Sequence, residues 1–154
     1  MSLYGFDAFS PAEIAERVET VGVAKARLPL LKMALLGVLA GAFIGLGCLY
    51  FVLVISDATL SFATSRVLGG VVFSLGLLLV VVAGAELFTG NNLLVMAWAD
   101  GKISHYELLR NWLVVCGANF VGAAGLALLV WLSGHPQMNG GKVGLTVVTL
   151  AAAK

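Results

Sequence analysis

The stretch Ala85-Glu86-Leu87-Phe88-Thr89-Gly90-Asn91-Asn92 decides the fold. Before it an apolar run extends from Val67 to Gly84, and after it apolar residues resume at Leu93 and reach Trp98. Read as one helix, Val67–Trp98 has about 32 residues, well beyond the ~20 that cross a bilayer. A carboxylate, a hydroxyl, a glycine and two amides interrupt it. Lipid leaves the backbone groups of an unwound segment without partners, so such a break persists only when buried in protein or lining a water-filled path. Membrane transport proteins place their solute sites at discontinuous helices of this kind. The stretch points to a conduit and away from a passive anchor.

The rest of the chain supplies a membrane for that conduit. Of 154 residues 60% are hydrophobic and 11% charged, with a mean hydropathy of +1.03. No soluble domain of this size needs so much apolar surface. A net charge of +1 leaves no electrostatic footprint for nucleic acid. Cys48 and Cys116 fall in apolar runs, where they act as small apolar residues, and give neither a disulfide framework nor metal spacing. Nothing in the spans pairs a nucleophile with a base, gathers metal ligands or forms a cofactor motif, which argues against an enzyme and calls for no cofactor.

Three spans and one surface helix account for the pattern. The first span covers Met33–Ile55, the second is the broken Val67–Trp98, and the third covers Asn111–Leu132. A further apolar segment begins at Val143. Ser10-Pro11-Ala12-Glu13 reads as a helix start, with Ser10 as N-cap and Glu13 closing a capping box. Ile14, Val18 and Val21 then recur at helical spacing, which gives an amphipathic helix over 11–25. It either lies along the membrane surface or packs on the protein's own loops. Arg17, Lys25, Arg27 and Lys32 precede the first span, which places the N-terminus and the Ala99–Arg110 loop in the cytoplasm. Gly37, Gly41 and Gly45 mark a face where helix backbones approach closely, and Gly69, Gly76, Gly117, Gly122 and Gly125 lighten the other spans. Trp98, Trp112 and Trp131 stand near span ends, as interfacial anchors do.

Glu86 is the sharpest residue. A carboxylate at membrane depth is costly unless paired or hydrated. It is either a polar contact in the path or a group that supports the broken loop, by satisfying loop amides or capping the helix that resumes at Leu93. Thr89, Asn91 and Asn92 offer hydroxyl and amide groups to loop or solute, and Gly90 permits the unusual backbone angles of a turn. Asn111 and Asn119 on the third span read as interhelical hydrogen-bond partners. Phe73 and Leu77 are one turn apart ahead of the break, and by themselves read as lipid-facing or core residues.

These residues carry a resemblance. Gly69-Gly70-Val71-Val72-Phe73-Ser74-Leu75-Gly76-Leu77 and Gly84-Ala85-Glu86-Leu87-Phe88-Thr89-Gly90-Asn91 are followed by Gly101-Lys102-Ile103-Ser104, Asn111-Trp112, Asn119-Phe120-Val121-Gly122 and Trp131-Leu132-Ser133-Gly134. In that order and spacing the chain resembles the formate/nitrite transporter family, whose members carry small monovalent anions such as formate, nitrite or hydrosulfide. The resemblance implies an all-α integral membrane protein with an aquaporin-like fold of six spans in two inverted repeats. It implies a homopentamer with one pore per protomer in a bacterial or archaeal inner membrane. This chain supplies the first three-span half, and it stops at Lys154 before the second broken helix and its central histidine. The resemblance also implies that Phe73, Leu77 and Leu87 form apolar constrictions and that Leu87-Phe88-Thr89 makes an Ω-shaped loop. Thr89 would hydrogen-bond near the pore centre, and Lys154 would lie close to that centre. Glu86, Gly90, Asn91 and Asn119 are left to support the loop.

A small anion meets a high electrostatic barrier in an apolar constriction, on the order of tens of kcal/mol for a bare charge. A cation such as Lys154 and the N-terminus of the resumed half-helix attract the anion, and a proton converts it to a neutral acid that passes. The partners implied are a weak-acid anion, protons and the bilayer. Two rivals stand beside this reading. A neutral-solute channel of the water or glycerol type fits the break but calls for Asn-Pro-Ala turns, which the sequence lacks. A structural subunit of a larger assembly leaves the break without a purpose.

Overall fold

Apolar length sets the three long helices, and polar caps set their ends. The computed structural model describes residues 9–153. Helix α1 covers Pro11–Ala26, α2 Leu30–Ile55, α3 Phe62–Ala83, α4 Phe88–Asn91, α5 Leu94–Ala99, α6 His105–Leu132 and α7 Lys142–Ala152. Two 3-10 turns, His135–Gln137 and Asn139–Gly141, join α6 to α7. By length and composition α2, α3 and α6 can each cross a membrane. Their outward faces remain apolar and bare, with Val82 78% and Leu113 74% exposed, a surface that water does not tolerate in such amounts.

The helices start earlier than hydropathy places them. α2 begins at Leu30, directly after Pro29, and α3 at Phe62, where the Ser61 hydroxyl accepts from the Thr64 amide. α6 begins at His105, six positions before Asn111, under a capping box formed by Ser104 and Glu107. Hydropathy marks where a helix meets lipid, whereas the backbone ladder runs on into the polar flank until a cap ends it.

α2 is the centre of the bundle, packed against α6 on one side and α3 on the other. The glycine stripe explains the closeness of the first contact. A Cβ at Gly41 would fall on the Asn119 carbonyl oxygen, and one at Gly122 on the Val38 carbonyl oxygen. Toward α3, a Cβ at Gly47 would sit 2.7 Å from the Phe73 carbonyl oxygen. Backbone lies against backbone along both seams, which gives dense dispersion contact without bulky side chains.

α1 packs on the chain itself over its C-terminal half. Ala26 is buried with Leu94, Ala97, Ile103 and Leu108, and Val23 packs against this cluster. The packed side uses Gly22, Val23 and Ala26, whereas Ile14 and Val21 from the expected apolar stripe are half exposed. Small residues won because they let α1 approach α5 closely; a Cβ at Gly22 would already touch Ala97. Ion pairs fix the same end. Arg27 Nε donates to Glu107 at 3.2 Å, Arg110 Nη2 donates to the Leu28 carbonyl at 2.9 Å, and Lys102 pairs with Glu19 and Asp100. Bonds to Glu19 first, and then to Asp100, hold the Lys102 ammonium above its ordinary range.

Candidate functional site

The break begins as a helix cap. α3 ends at Ala83, and Gly84 turns left-handed at φ 61°, ψ 34°. The Ala85 amide then donates to the Val80 carbonyl at 2.9 Å and the Gly84 amide to Val81 at 3.2 Å. This pair of bonds is a Schellman closure, completed by the apolar contact of Ala85 with Val80 and Ala40. Gly84 takes the left-handed angles assigned above to Gly90. Gly90 lies instead inside α4, because the C-cap of α3 is where reversed angles close the last carbonyls.

Only residues 84–87 are unwound. The helix resumes at Phe88 and not at Leu93; α4 and α5 follow one another through a turn at Asn92 and Leu93, whose angles stay right-handed. The positive end of the resumed helix therefore lies at Phe88. Four unwound residues still need partners, and two neighbouring helices supply them. The Glu86 amide donates to the Leu36 carbonyl of α2 at 3.2 Å. Asn119 of α6 does more: its Oδ1 accepts from the Phe88 amide at 2.9 Å, and its Nδ2 donates to the carbonyls of Glu86 at 2.9 Å and Gly37 at 2.8 Å. One amide side chain thus ties α2, the break and α6 together. Asn119 stands at the middle of α6, so the break lies at the depth of the spans.

The Glu86 side chain turns away from the loop amides. It is 3% exposed, and its Oε1 accepts from Lys25 Nζ at 2.9 Å. Its Oε2 accepts from Asn91 Nδ2 at 2.7 Å. Lys25 also donates to Asn91 Oδ1 at 3.2 Å, and Asn91 Nδ2 to Asn111 Oδ1 at 2.9 Å. Asn111 Nδ2 closes the circuit on the Lys25 carbonyl at 3.2 Å. Glu86 neither satisfies loop amides nor caps the resumed helix; a buried carboxylate gains more from an ammonium than from neutral donors. Trp112, read above as an interfacial anchor, donates its indole N–H to the Asn91 carbonyl at 3.0 Å.

Sequence reasoning missed Lys25 and Trp112. The signal for Lys25 was present: a lone carboxylate inside the spans needs a cation, and α1 carries Arg17 and Lys25, with Arg27 and Lys32 just beyond its end. The choice among them depends on how α1 docks.

The residues assigned to the path lie elsewhere on the same elements. Phe73, 38% exposed, meets Phe51 edge-on with ring centroids 6.4 Å apart, and Leu77 is 53% exposed. Leu87 is half-buried against the cluster of Ala40, Val80 and Ala85. Phe88 is half-buried, and Thr89 and Asn92 are exposed. Lys154 lies outside the described residues.

A broken helix bolted to its neighbours in this way invites comparison with known transport proteins. A profile of formate/nitrite transporters matches residues 12–154. The chain belongs to the formate/nitrite transporter family. It is 41% identical over 150 residues to the formate channel FocA of Escherichia coli, covering 97% of this chain and 53% of that protein. It is 45% identical over 115 residues to the formate channel BtFdhC of Bacillus thuringiensis, covering 73% of this chain and 44% of that one. Among solved structures, a pentameric formate channel with formate bound superposes with a TM-score of 0.75 at 36% identity, covering 81% of this chain and 49% of the other. This member of the formate/nitrite transporter family spans about half the length of the curated relatives it matches. Its three long apolar helices correspond to the first half of the formate channel fold, and it is an integral membrane protein.

Proposed function

We propose that this chain forms one wall of a transmembrane path for a small monovalent weak-acid anion of the formate, nitrite or hydrosulfide class. The path lies within each protomer of a pentamer, and the N-terminus faces the cytoplasm. The observation that carries the reading is the break at 84–87, which Asn119 and the Lys25–Glu86 pair hold in protein at span depth. A fold built only to anchor would run α3 through unbroken, since each unwound backbone group needs a partner in lipid. Similarity to formate channels, one of them a pentamer with formate bound, supports the substrate class and the assembly.

Phe73, Leu77 and Leu87 supply the apolar constriction in this reading. Thr89 offers a hydroxyl beside it, and among the described residues that side chain forms no hydrogen bond. An anion is drawn in by Lys154 and by the positive end of the helix resumed at Phe88. It gains a proton before the narrow part, because a neutral acid escapes most of the desolvation cost of the charge.

Uptake of labelled formate into proteoliposomes containing the complete protein tests this. Influx rises as the external solution is made acidic, and Lys154→Met lowers it. Uptake that ignores pH removes the proton step. Osmotic swelling with neutral solutes and no anion uptake removes the whole reading.

A further inference from the structure

The backbone ladder of the second span slips a second time, just past α4. There the amides reach back three residues in place of four: Leu93 donates to the Gly90 carbonyl at 3.2 Å, Val95 to Asn92 at 3.2 Å and Met96 to Leu93 at 3.0 Å. This is the tighter 3-10 pattern, which inside a helix marks strain or a hinge. Its ordinary local causes are missing, since the stretch 91–96 contains neither glycine nor proline. A side chain inserted into the ladder is another known cause, and one is present. Trp112 of α6 donates its indole N–H to the Asn91 carbonyl at 3.0 Å. Val95, whose amide stands four residues on from that carbonyl, turns to Asn92 instead.

The indole is itself held in place. Trp112 packs against the buried cluster that Ala26, Leu94 and Leu108 share. Its neighbour Asn111 accepts from Asn91 Nδ2 at 2.9 Å, so consecutive residues of α6 grip the backbone and the side chain of one fully buried residue. At the other end of α4, Asn119 accepts from the Phe88 amide at 2.9 Å. α4 is thus a four-residue piece, irregular at both ends and clamped from α6 at both ends. Thr89, exposed, lies between the two clamps.

We propose that Trp112 is a positioning residue for transport. By drawing the Asn91 carbonyl out of the ladder it sets the angle between α4 and α5, and so aims the Thr89 hydroxyl at the path. This deepens the reading of a path beside the break and rests on it. Without the indole N–H the buried carbonyl takes the nearest donor, the Val95 amide, because leaving it unpaired is costly. α4 and α5 then run together as one regular helix, and Thr89 turns away from its place.

Influx of labelled formate into proteoliposomes of the complete protein tests this, with every variant compared at equal amounts of monodisperse protein. Trp112→Phe, and replacement of Trp112 by benzothienylalanine, each lower influx at least about fivefold, the effect of one lost hydrogen bond. Benzothienylalanine carries sulfur in place of the N–H and keeps the ring's volume, so the packing of Trp112 survives in it. Damage from poor folding would add to any other loss, whereas misplacement of Thr89 does not add to removal of its hydroxyl. Thr89→Val therefore lowers influx in the wild-type background and changes it little beside benzothienylalanine. Trp131→Phe, at an exposed tryptophan at the far end of α6, leaves influx as in wild type. Undiminished influx with benzothienylalanine, an equal loss with Trp131→Phe, or full additivity with Thr89→Val overturns the proposal and leaves the path reading intact. Thr89→Val without effect in the wild-type background overturns that reading of Thr89, and the positioning role with it.

Discussion

The α2–α6 seam and the joint at the break hold the same helices by opposite means. The seam works by subtraction: Gly37, Gly41 and Gly122 carry no side chain, and backbones meet. The joint works by addition: Lys25, Glu86, Asn91, Asn111 and Asn119 fill the space between α1, the break and α6 with hydrogen bonds. They share one residue. Asn119 offers its carbonyl to the closest approach in the seam and its side chain to the break. Shape alone can join two unbroken helices, whose backbone groups are already paired. An unwound segment at depth has open backbone groups, and only polar partners can answer them. The seam is therefore rigid where the fold needs a scaffold, and polarity is confined to where the helix opens.

Substitutions can set these two joints against each other. The largest effect falls on the seam. Gly122→Leu puts a side chain onto the Val38 carbonyl, where no rotamer change relieves the clash, because the obstacle is backbone. The variant fails to yield monodisperse protein in detergent, whereas Gly117→Leu, at a position with open space, behaves as wild type. Equal behaviour of the two would dissolve the distinction between the seam and an ordinary apolar face.

Next comes the ion pair. Lys25→Met strands Glu86 in a site where it is 3% exposed, and removing one partner of a buried pair costs about 3–5 kcal/mol. Lys25 is itself 29% exposed, so the lower end of that range applies. Adding Glu86→Gln to Lys25→Met restores most of the loss in a thermal unfolding series. If the double variant is no better than the single one, the pair is not what couples α1 to the break.

Asn119→Leu follows. It leaves the Phe88 amide and the Glu86 and Gly37 carbonyls without this partner and costs about 2 kcal/mol, with carbonyls more tolerant than the amide. Hydrogen exchange accelerates at Phe88 while α2 and α6 keep their protection. Loosening spread along the whole seam would show that the amide serves packing more than the break.

The smallest effect belongs to a polar contact in water. Glu13 closes the capping box of α1 fully in solvent, and its bond from the Ser10 backbone, then that from the Ser10 hydroxyl, holds its carboxyl below the ordinary value of 4.5. A lowered folded value means the contribution is present above that ordinary value and fades as pH falls through the folded one. Acidification, or Glu13→Gln at neutral pH, frays only the first turn of α1 in amide exchange. A global loss of stability from Glu13→Gln would show that solvent does not separate this cap from the buried joint.

How much of this was legible depended on range. The break could be read because a carboxylate, a glycine and amides inside an apolar run contradict the run locally. The close faces could be read because glycines at helical spacing have few other uses. The width of the break was misread, since Phe88 is apolar and Thr89 polar yet both begin a helix. The angle was misassigned to Gly90 because two glycines flank the stretch, and only the ladder of α3 shows which one closes it. The α1 face was misread because the larger residues Ile14, Val18 and Val21 outweigh Gly22 and Ala26 in any hydropathy pattern.

The sequence by itself determined that this is a membrane protein of three long helices, that the second is interrupted near Glu86, and that it belongs among the formate/nitrite transporters. The first two follow from composition and period, properties of neighbouring residues, and the third from the resemblance of whole motifs to that family. Only the tertiary structure decided that Lys25, 61 positions away, neutralises Glu86 and that Asn119 bridges three segments. A charge takes the partner that packing brings near, and packing is settled by how whole helices fit, which no local pattern encodes.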